Sequence, residues 1–534
     1  MESWQRKLGI MRNDRISVLD EIVDATIHST IINQADERPN SVAISSFADQ
    51  LTFIELVAAS EKFAQVLIER GIGKSDRVAV WVPNSTTWAV VQNAISLVGA
   101  ECVLVSTRAT VTEAKYIVEH SEAVAIIAVE SFLQRRYAHE AATILADLGR
   151  SNGAVIGVGM TTSQLPAPKG QHSLSGAAPD QAAAWLYTSG TTGTPKATAI
   201  TQRVWVNNAR LTASRVGITG DDRIYSACPM FFAFGSMTAM MGAFTTGASF
   251  YTSPTFNVGE ATTGLERCRA SWFIGVPTMW IDLVATVQRG QLRDLRGGIS
   301  GGAPIPAAVI EQLLDPAGWA LNMTTLYGMT EAPGISVIAD SDPFEKRITT
   351  VGRPGPHIEV RIVDESGADV QTGTVGQIVT RGYHTTSGYL RNAEATRQLF
   401  RDGWLQTGDL GEMDEDGYLC IRGRITDMML VGGSNVYAKE VEDVIQRIRG
   451  VTRVAVVGKP HERLGEIPIA WIQPSDGVTL DRAEITAQCR SSLAAHKVPR
   501  EIYFTADMPL TGSGKIRKSE LGLASTEHIG TGKI

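Results

Sequence analysis

Between residues 40 and 130 the apolar positions fall in short runs separated by amphipathic stretches of helix length. The runs at 42–46, 77–82, 102–106 and 123–129 predict strands, and the spacing at 52–70, 85–98 and 110–120 predicts helices. Thr52 with Glu55, and Thr110 with Glu113, fit the capping box in which a hydroxyl and a carboxylate satisfy the first free amides of a helix. Gly71 stands where a helix stop belongs. Strand–helix alternation of this kind predicts parallel sheets covered by helices. The rhythm resumes after a looser Gly/Ser/Pro stretch at 159–179, with strands expected at 184–187, 223–227, 248–251, 272–276 and 324–327. Near residue 355 the texture changes. Residues 357–364 alternate with a period of two and 376–380 are placed to pair with them, which predicts a β-rich subdomain. Beyond Gly423 a further unit begins, with helices near 438–449 and 482–495 and strands at 453–457 and 467–472. The fold class expected is α/β: residues 1–424 as a large domain of helix-covered sheets plus the β-rich subdomain, and residues 425–534 as a small α+β domain.

Composition narrows the classes. Over 534 residues, 43% are hydrophobic and 20% charged, ordinary values for a globular chain, and a net charge of −7 lacks the basic footprint of a general nucleic-acid binder. The run at 123–129 is among the longest apolar ones and falls far short of a membrane span. The start MESWQRKLGI has no hydrophobic signal core, and the ending GTGKI matches no receptor-read address. Five scattered cysteines without a CxxC pair form neither a disulfide framework nor a zinc site. A cytoplasmic, reduced, multi-subdomain protein is expected, with small-molecule partners and no integral membrane segment; its oligomeric state is left open.

The segment richest in chemistry is Tyr187-Thr-Ser-Gly-Thr-Thr-Gly-Thr-Pro-Lys196, directly after an expected strand. Gly190 and Gly193 allow close backbone approach, Thr188, Ser189, Thr191 and Thr192 offer donors for phosphate oxygens, and Lys196 adds positive charge. A plain Gly/Ser/Thr surface loop is the bland alternative; the preceding strand and the lysine favour phosphate binding. It is not a Walker A loop, because Pro195 precedes the lysine and Ala197 follows it. The late Gly512-Ser-Gly-Lys515 fails likewise, since Ile516 stands where a magnesium-binding hydroxyl is needed. No GxGxxG fingerprint follows a strand, which removes most support for a dehydrogenase.

With that loop the chain resembles the adenylate-forming superfamily of acyl- and aryl-CoA synthetases, peptide-synthetase adenylation domains and luciferases. The motifs run in the family's order over nearly the whole length. Ser300-Gly-Gly-Ala-Pro304, Thr325-Leu-Tyr-Gly-Met-Thr-Glu331, a Gly-Tyr-Leu at Tyr389 and Trp404-Leu-Gln-Thr-Gly-Asp409 come first. Gly417-Tyr418 with Arg422-Gly-Arg424, Gly432-Gly-Ser-Asn-Val-Tyr437 and Pro509-Leu-Thr-Gly-Ser-Gly-Lys515 complete the set.

The resemblance implies roles. Gly301, Gly302 and Ala303 would edge the adenine, Tyr327 would stack on it, and Thr325, Gly328 and Met329 would lie beside the nucleotide. Asp409, aided by Arg424, would accept from the ribose hydroxyls. Thr330 would contact the α-phosphate and Glu331 would hold Mg²⁺, a hard cation suited to carboxylate oxygen. Lys515 would reach the acyl carboxylate and the α-phosphate together, where an ammonium offsets the charge developing in the transition state. Read alone, Asp409 and Lys515 are ordinary loop residues and Tyr327 an ordinary core residue; only the ordered set argues otherwise.

The reaction implied has two steps: carboxylate and ATP give an acyl-adenylate and pyrophosphate, then a thiol displaces AMP. The small domain would rotate between steps about a hinge at Thr426, exchanging the Lys515 loop for the face carrying Gly432 and Gly433, which would line the pantetheine path. A plain hairpin turn is the alternative for that glycine pair. The acyl pocket would comprise Phe232, Phe234, Gly235, Val276, Ser300, Gly302, Met329 and Gly334, with Gly235, Ser300 and Gly334 leaving room. Departures from the family pattern are Phe232 where many relatives have histidine, Gln202 where a histidine often follows the loop, and neutral Thr426 where Asp or Lys usually stands. With no acidic residue near Phe232 to hold an α-ammonium, a bulky apolar carboxylic acid is the expected substrate, with ATP, Mg²⁺ and coenzyme A. The alternatives are a carrier-protein phosphopantetheine in place of CoA, a protein running only the thioesterification half-reaction, and a non-catalytic nucleotide-binding homologue.

Overall fold

The computed structural model describes residues 21–150, 154–188, 195–510 and 516–521. Two helix-covered sheets form the first part. One has six strands in the order Ala154–Val158, Ala125–Val129, Arg77–Trp81, Glu101–Leu104, Ala182–Thr188 and Lys196–Thr201, parallel throughout except for the last. The other has nine, with the parallel strands Val42–Ser45, Ser249–Tyr251, Arg223–Tyr225, Trp272–Gly275, Gly297–Gly301 and Asn322–Met329 at its centre. Antiparallel strands close it at both ends: Gln50–Thr52 on one side, Ala332–Val337 and Arg353–Pro354 on the other.

The local signals acted as their chemistry predicts. Thr52 caps the helix Phe53–Glu69 and Thr110 caps Val111–Ser121, each through a complete reciprocal box with Glu55 or Glu113. Helix Thr86–Leu97 is buried on every side, because it lies between the sheets rather than on one face of them. The expected strands are all present, most within two residues of the expected ends. Strand Lys196–Thr201 was not foreseen. It follows the glycine-rich segment and turns back antiparallel on Ala182–Thr188, with Thr188 opposite Lys196.

Strand Gly297–Gly301 begins with two glycines because two tryptophans use the space beside them. A Cβ at Gly297 would lie 2.6 Å from the Trp272 ring, and one at Gly298 would overlap Trp280 on the opposite face. Both indoles are fully buried, so flat aromatic area seals the sheet where Cβ atoms would hold other residues apart.

The β-rich subdomain is an antiparallel sheet of Ile358–Val363, Gly376–Gly382, Trp404–Met413 and Phe400–Arg401, with Leu419–Arg424 added beside Trp404–Met413. Past a single 3₁₀ turn, Ile425–Asp427, the chain enters a fourth sheet: Ser434–Tyr437, Met428–Val431, Gly465–Pro474 and Val451–His461, with Glu501–Phe504 parallel to Gly465–Pro474. Helices Ala438–Gln446 and Arg482–Ser492 cover it, and Val441, Ile445, Ile485 and Cys489 enter its core. No described strand pairs across the 3₁₀ turn with the earlier sheets.

Candidate active site

Thr330 and Glu331 form the two-residue turn of the hairpin made by Asn322–Met329 and Ala332–Val337, with Met329 opposite Ala332. Glu331 is buried at 5% exposure. Its Oε1 accepts from the Tyr389 hydroxyl at 2.7 Å and from Thr188 Oγ1 at 3.4 Å. The Lys196 ammonium stands 5.3 Å over the Tyr389 ring. Burial, together with the adjacent carboxylate, pushes the Tyr389 phenol well above its ordinary value, so it stays a donor. Tyr389 is held by an isolated bridge to Thr198, and Leu390 N donates to Ala197 O at 2.9 Å. Thr188, Tyr389 and Glu331 thus come from three segments and meet at one buried carboxylate, with the Lys196 ammonium over the Tyr389 ring. Ser189, Gly190, Thr191, Thr192 and Gly193 lie outside the described residues, as does Lys515.

On the same hairpin, the Tyr327 hydroxyl donates to Asp409 Oδ2 at 2.7 Å. Arg424 sits directly opposite Asp409 on the neighbouring strand, its Nε 3.4 Å from Oδ1. Burial, then the nearby carboxylate, raises the Tyr327 phenol well above the usual tyrosine value. The phenol is thereby tied to the carboxylate that the resemblance offers to the ribose, while the ring packs beside Ile362 and Leu405. Gly302 has φ +84 and open space where a Cβ would stand, with Ala303 half-buried beside it. Thr325 is buried in the strand below.

The expected acyl-pocket residues do not all serve alike. A Cβ at Gly301 would stand 2.9 Å from the Phe234 ring, which places that ring against the glycine strand. Phe231 and Phe232 pack with centroids 4.8 Å apart, and Phe232 and Phe234 remain half-buried. Gly334, at φ +55, faces the amide of Asn208, whose Nδ2 donates to Pro333 O at 2.8 Å; a Cβ there would come within 2.5 Å of Nδ2. Gly235 departs from the expectation that it leaves room. Its open side is filled by main chain, with Cys228 O 2.7 Å from a would-be Cβ, so its small size serves a tight turn rather than a pocket. Ser300 is fully buried with a hydroxyl unpartnered among the described residues, Val276 stands at the N-cap position of helix Pro277–Thr286, and Met329 packs in the cluster of Ile358 and Leu405. Gly328 is small because a Cβ would meet Gly334 N at 2.5 Å inside the hairpin.

Gly432 and Gly433 are the two-residue turn between Met428–Val431 and Ser434–Tyr437, with φ of +58 and +84. Positive φ at both central positions is what such a turn requires. Gly433 meets nothing within 4 Å. Thr426 is exposed in the 3₁₀ turn between the sheets.

Sequence reasoning missed several supports. Tyr116 donates to Pro195 O at 3.0 Å, stacks on His120, and His120 Nδ1 meets the Tyr187 hydroxyl at 2.9 Å. These residues brace both flanks of the glycine-rich segment from helix Val111–Ser121. The helix pattern was visible, but no motif signals which of its faces meets the loop. The π-helical run Phe234–Met241 was also unseen, since its wider winding leaves no period that a 3.6-residue search detects.

Two helix-covered sheets, a β-rich subdomain and a small α+β unit, with a buried carboxylate at a hairpin turn beside Thr188, make up the architecture of an adenylate-forming enzyme. Residues 31–390 match the model of the AMP-binding enzyme family, and residues 440–515 match that of the AMP-binding enzyme C-terminal domain. The chain belongs to that family and is an acid–thiol ligase. Among its relatives, the putative acyl-CoA synthetase YngI of Bacillus subtilis is 33% identical over 94% of this chain and 97% of its own. A feruloyl-CoA synthase of Amycolatopsis is 31% identical over 92% and 97%. The crystal structure of ATP-bound MatB from Rhodopseudomonas palustris superposes with a TM-score of 0.85 at 28% identity, covering 95% of this chain and 99% of that one. No helix among the described residues is long and apolar enough to cross a membrane.

Proposed function

We propose that the enzyme activates a bulky, apolar carboxylic acid as its acyl-adenylate and transfers the acyl group to coenzyme A. The observation that carries this reading is the hairpin of residues 322–337, which brings Glu331 to the Thr188–Lys196 pair while its Tyr327 engages Asp409. The phosphates of ATP lie along the glycine-rich segment, and the ribose hydroxyls donate to Asp409 beside Arg424. Backbone at Gly302 and Ala303 edges the base. Glu331 fits a magnesium ion: one carboxylate completed by substrate phosphate oxygens is a donor set that ion uses. When bound, the ion withdraws charge from the triphosphate. Tyr389 fixes the carboxylate's orientation by donating to Oε1.

In the first step the acid's carboxylate oxygen attacks the α-phosphorus and pyrophosphate leaves. Thr330 contacts the α-phosphate, and Lys515 spans that phosphate and the acyl oxygen. In the second, the C-terminal unit, residues 425–534, turns about Thr426 and the thiol enters past Gly432 and Gly433. Half-buried Phe232 and Phe234 form an apolar wall, and residues 229–241 carry no acidic side chain, which disfavours amino acids. The relative named feruloyl-CoA synthase, whose acyl part is a feruloyl group, supports a bulky acid. Five free cysteines suit a reduced, cytoplasmic setting.

Pyrophosphate release over a panel of carboxylic acids, with and without CoA, tests the reading. Bulky apolar acids should exceed acetate and free amino acids in kcat/KM, each accepted CH₂ contributing about 0.8 kcal/mol, and AMP and thioester should appear only with CoA. A preference for acetate or an α-amino acid contradicts the substrate class; thioester formed only on a carrier protein moves the acceptor.

A further inference from the structure

The segment that follows Lys515 is fastened to the hinge turn. Ile516 bridges to Leu510, and Arg517 N donates to Pro509 O at 2.8 Å, so the described residues on both sides of 511–515 are joined. Leu521 enters a small core with Ala455, Trp471 and Met508. Between these anchors, the Lys518 ammonium lies 2.7 Å from Glu442 Oε1 and 3.4 Å from Asp427 Oδ2. Glu442 belongs to helix Ala438–Gln446, and its Oε1 also accepts from Val456 N at 2.8 Å, which fixes that carboxylate on the sheet. Asp427 is the last residue of the 3₁₀ turn that begins at Ile425.

Burial alone would lower the Lys518 ammonium, but Glu442 and then Asp427 outweigh it and hold the group above the ordinary lysine value. All three side chains are at least two-thirds buried. Breaking a pair of this kind costs more than breaking an exposed one, because removing one partner strands a largely buried charge. Neutral Thr426 leaves the hinge without a charge at its own position; one residue later, Asp427 supplies it and directs it at Lys518.

We propose that Lys518 is a positioning residue for adenylation: through Glu442 and Asp427 it sets the Lys515-bearing segment against the hinge turn, so that the lysine arrives in register with the α-phosphate. The inference rests on the role proposed for Lys515. A near-attack geometry held to about an ångström is worth up to 10²-fold in rate, and a loop anchored by apolar contact alone keeps less of it than one also held by a directed ion pair.

The test measures both half-reactions in the full-length enzyme: pyrophosphate release with the preferred acid, and thioester formation from supplied acyl-adenylate and CoA. Lys518→Met should lower adenylation kcat by about 10- to 100-fold, with KM for ATP nearly unchanged and thioesterification retained. Lys518→Arg, which keeps the charge, should restore most of the loss. Asp427→Asn changes no volume and should move adenylation the same way by a smaller factor, a second route should Lys518→Met fold poorly. Because Lys518 acts through Lys515, adding Lys518→Met to Lys515→Ala should cost nothing further. Equal losses in both half-reactions, an additive loss in the double variant, or unchanged adenylation in Lys518→Met and Asp427→Asn overturns the inference. Full adenylation in Lys515→Ala itself overturns the underlying reading, and the inference with it, and is distinguished by that single variant.

Discussion

The Tyr327 hydroxyl donates to the Asp409 carboxylate across 2.7 Å, tying the hairpin that ends in Glu331 to the antiparallel sheet that carries Arg424. One oxygen of Asp409 is thus engaged by the phenol while the other faces the guanidinium. The bond orients the carboxylate before any nucleotide arrives, a form of preorganisation that lowers the cost of binding.

Tyr327→Phe keeps the ring and its packing but removes this donor. A hydrogen bond to a buried charged group contributes about 1.5–3 kcal/mol, so KM for ATP should rise by roughly tenfold or more with a smaller change in kcat. An unchanged KM in a normally melting variant would assign the tyrosine to the core alone.

Lys515→Ala should reduce pyrophosphate release by about 10²–10³-fold, the usual effect of deleting one group that stabilises transition-state charge. Thioester formation from supplied acyl-adenylate should survive if, as proposed, the small unit turns Lys515 away before that step. Equal losses in both would remove Lys515 from its proposed place.

Gly433 occupies an exposed turn at φ +84 with open space around it. A Cβ at that position meets nothing within 4 Å among the described residues, and the left-handed backbone costs Gly433→Leu about 1–2 kcal/mol. Acyl-adenylate should accumulate while thioester formation falls, since the leucine would stand in the pantetheine path. Normal thioester turnover would place that path elsewhere; a thermal melt separates strain from obstruction.

His384 is fully buried, its Nε2 3.1 Å from Thr380 Oγ1, and burial lowers its pKa to about 3. The unfolded chain takes up this proton below about pH 6.5 and the folded one does not. In the window from 6.5 down to 3 the unfolded state binds more protons, so stability declines as pH falls, by about 1.4 kcal/mol per unit from this group. Urea melts at pH 7 and pH 5 should show wild type losing about 2 kcal/mol more than His384→Gln. Identical losses would falsify the neutral buried state.

Much of this architecture was legible along the chain because the signals are local. The two Thr–Glu boxes read correctly since both partners lie within one turn. The period-two stretch near 360 read correctly since Ile358, Val360 and Ile362 enter apolar clusters while Glu359 and Arg361 alternate with them. Strand Lys196–Thr201 escaped because the loop before it carries the composition of an open turn, and the hydroxyl-rich strand itself has little apolar period. Asn208 and Tyr116 escaped for a different reason: their importance lies in what they face across more than 70 residues, Pro333 and Pro195 respectively. Gly235 and Gly334 look alike in sequence, yet one admits main chain and the other faces an amide.

The tryptophan-sealed strand at Gly297–Gly301 bears on how such an enzyme changes its diet over evolutionary time. With Trp272 and Trp280 pressed onto its two faces, the first two glycines of that strand have no room to grow, and enlarging either would wedge apart a filled interior. New acids must therefore be accommodated from the facing side, where half-buried Phe232 and Phe234, the latter against Gly301, can be exchanged without adding bulk to the strand. Descendants with altered appetites should differ first at those phenylalanines and at Asn208, leaving the glycines as they are.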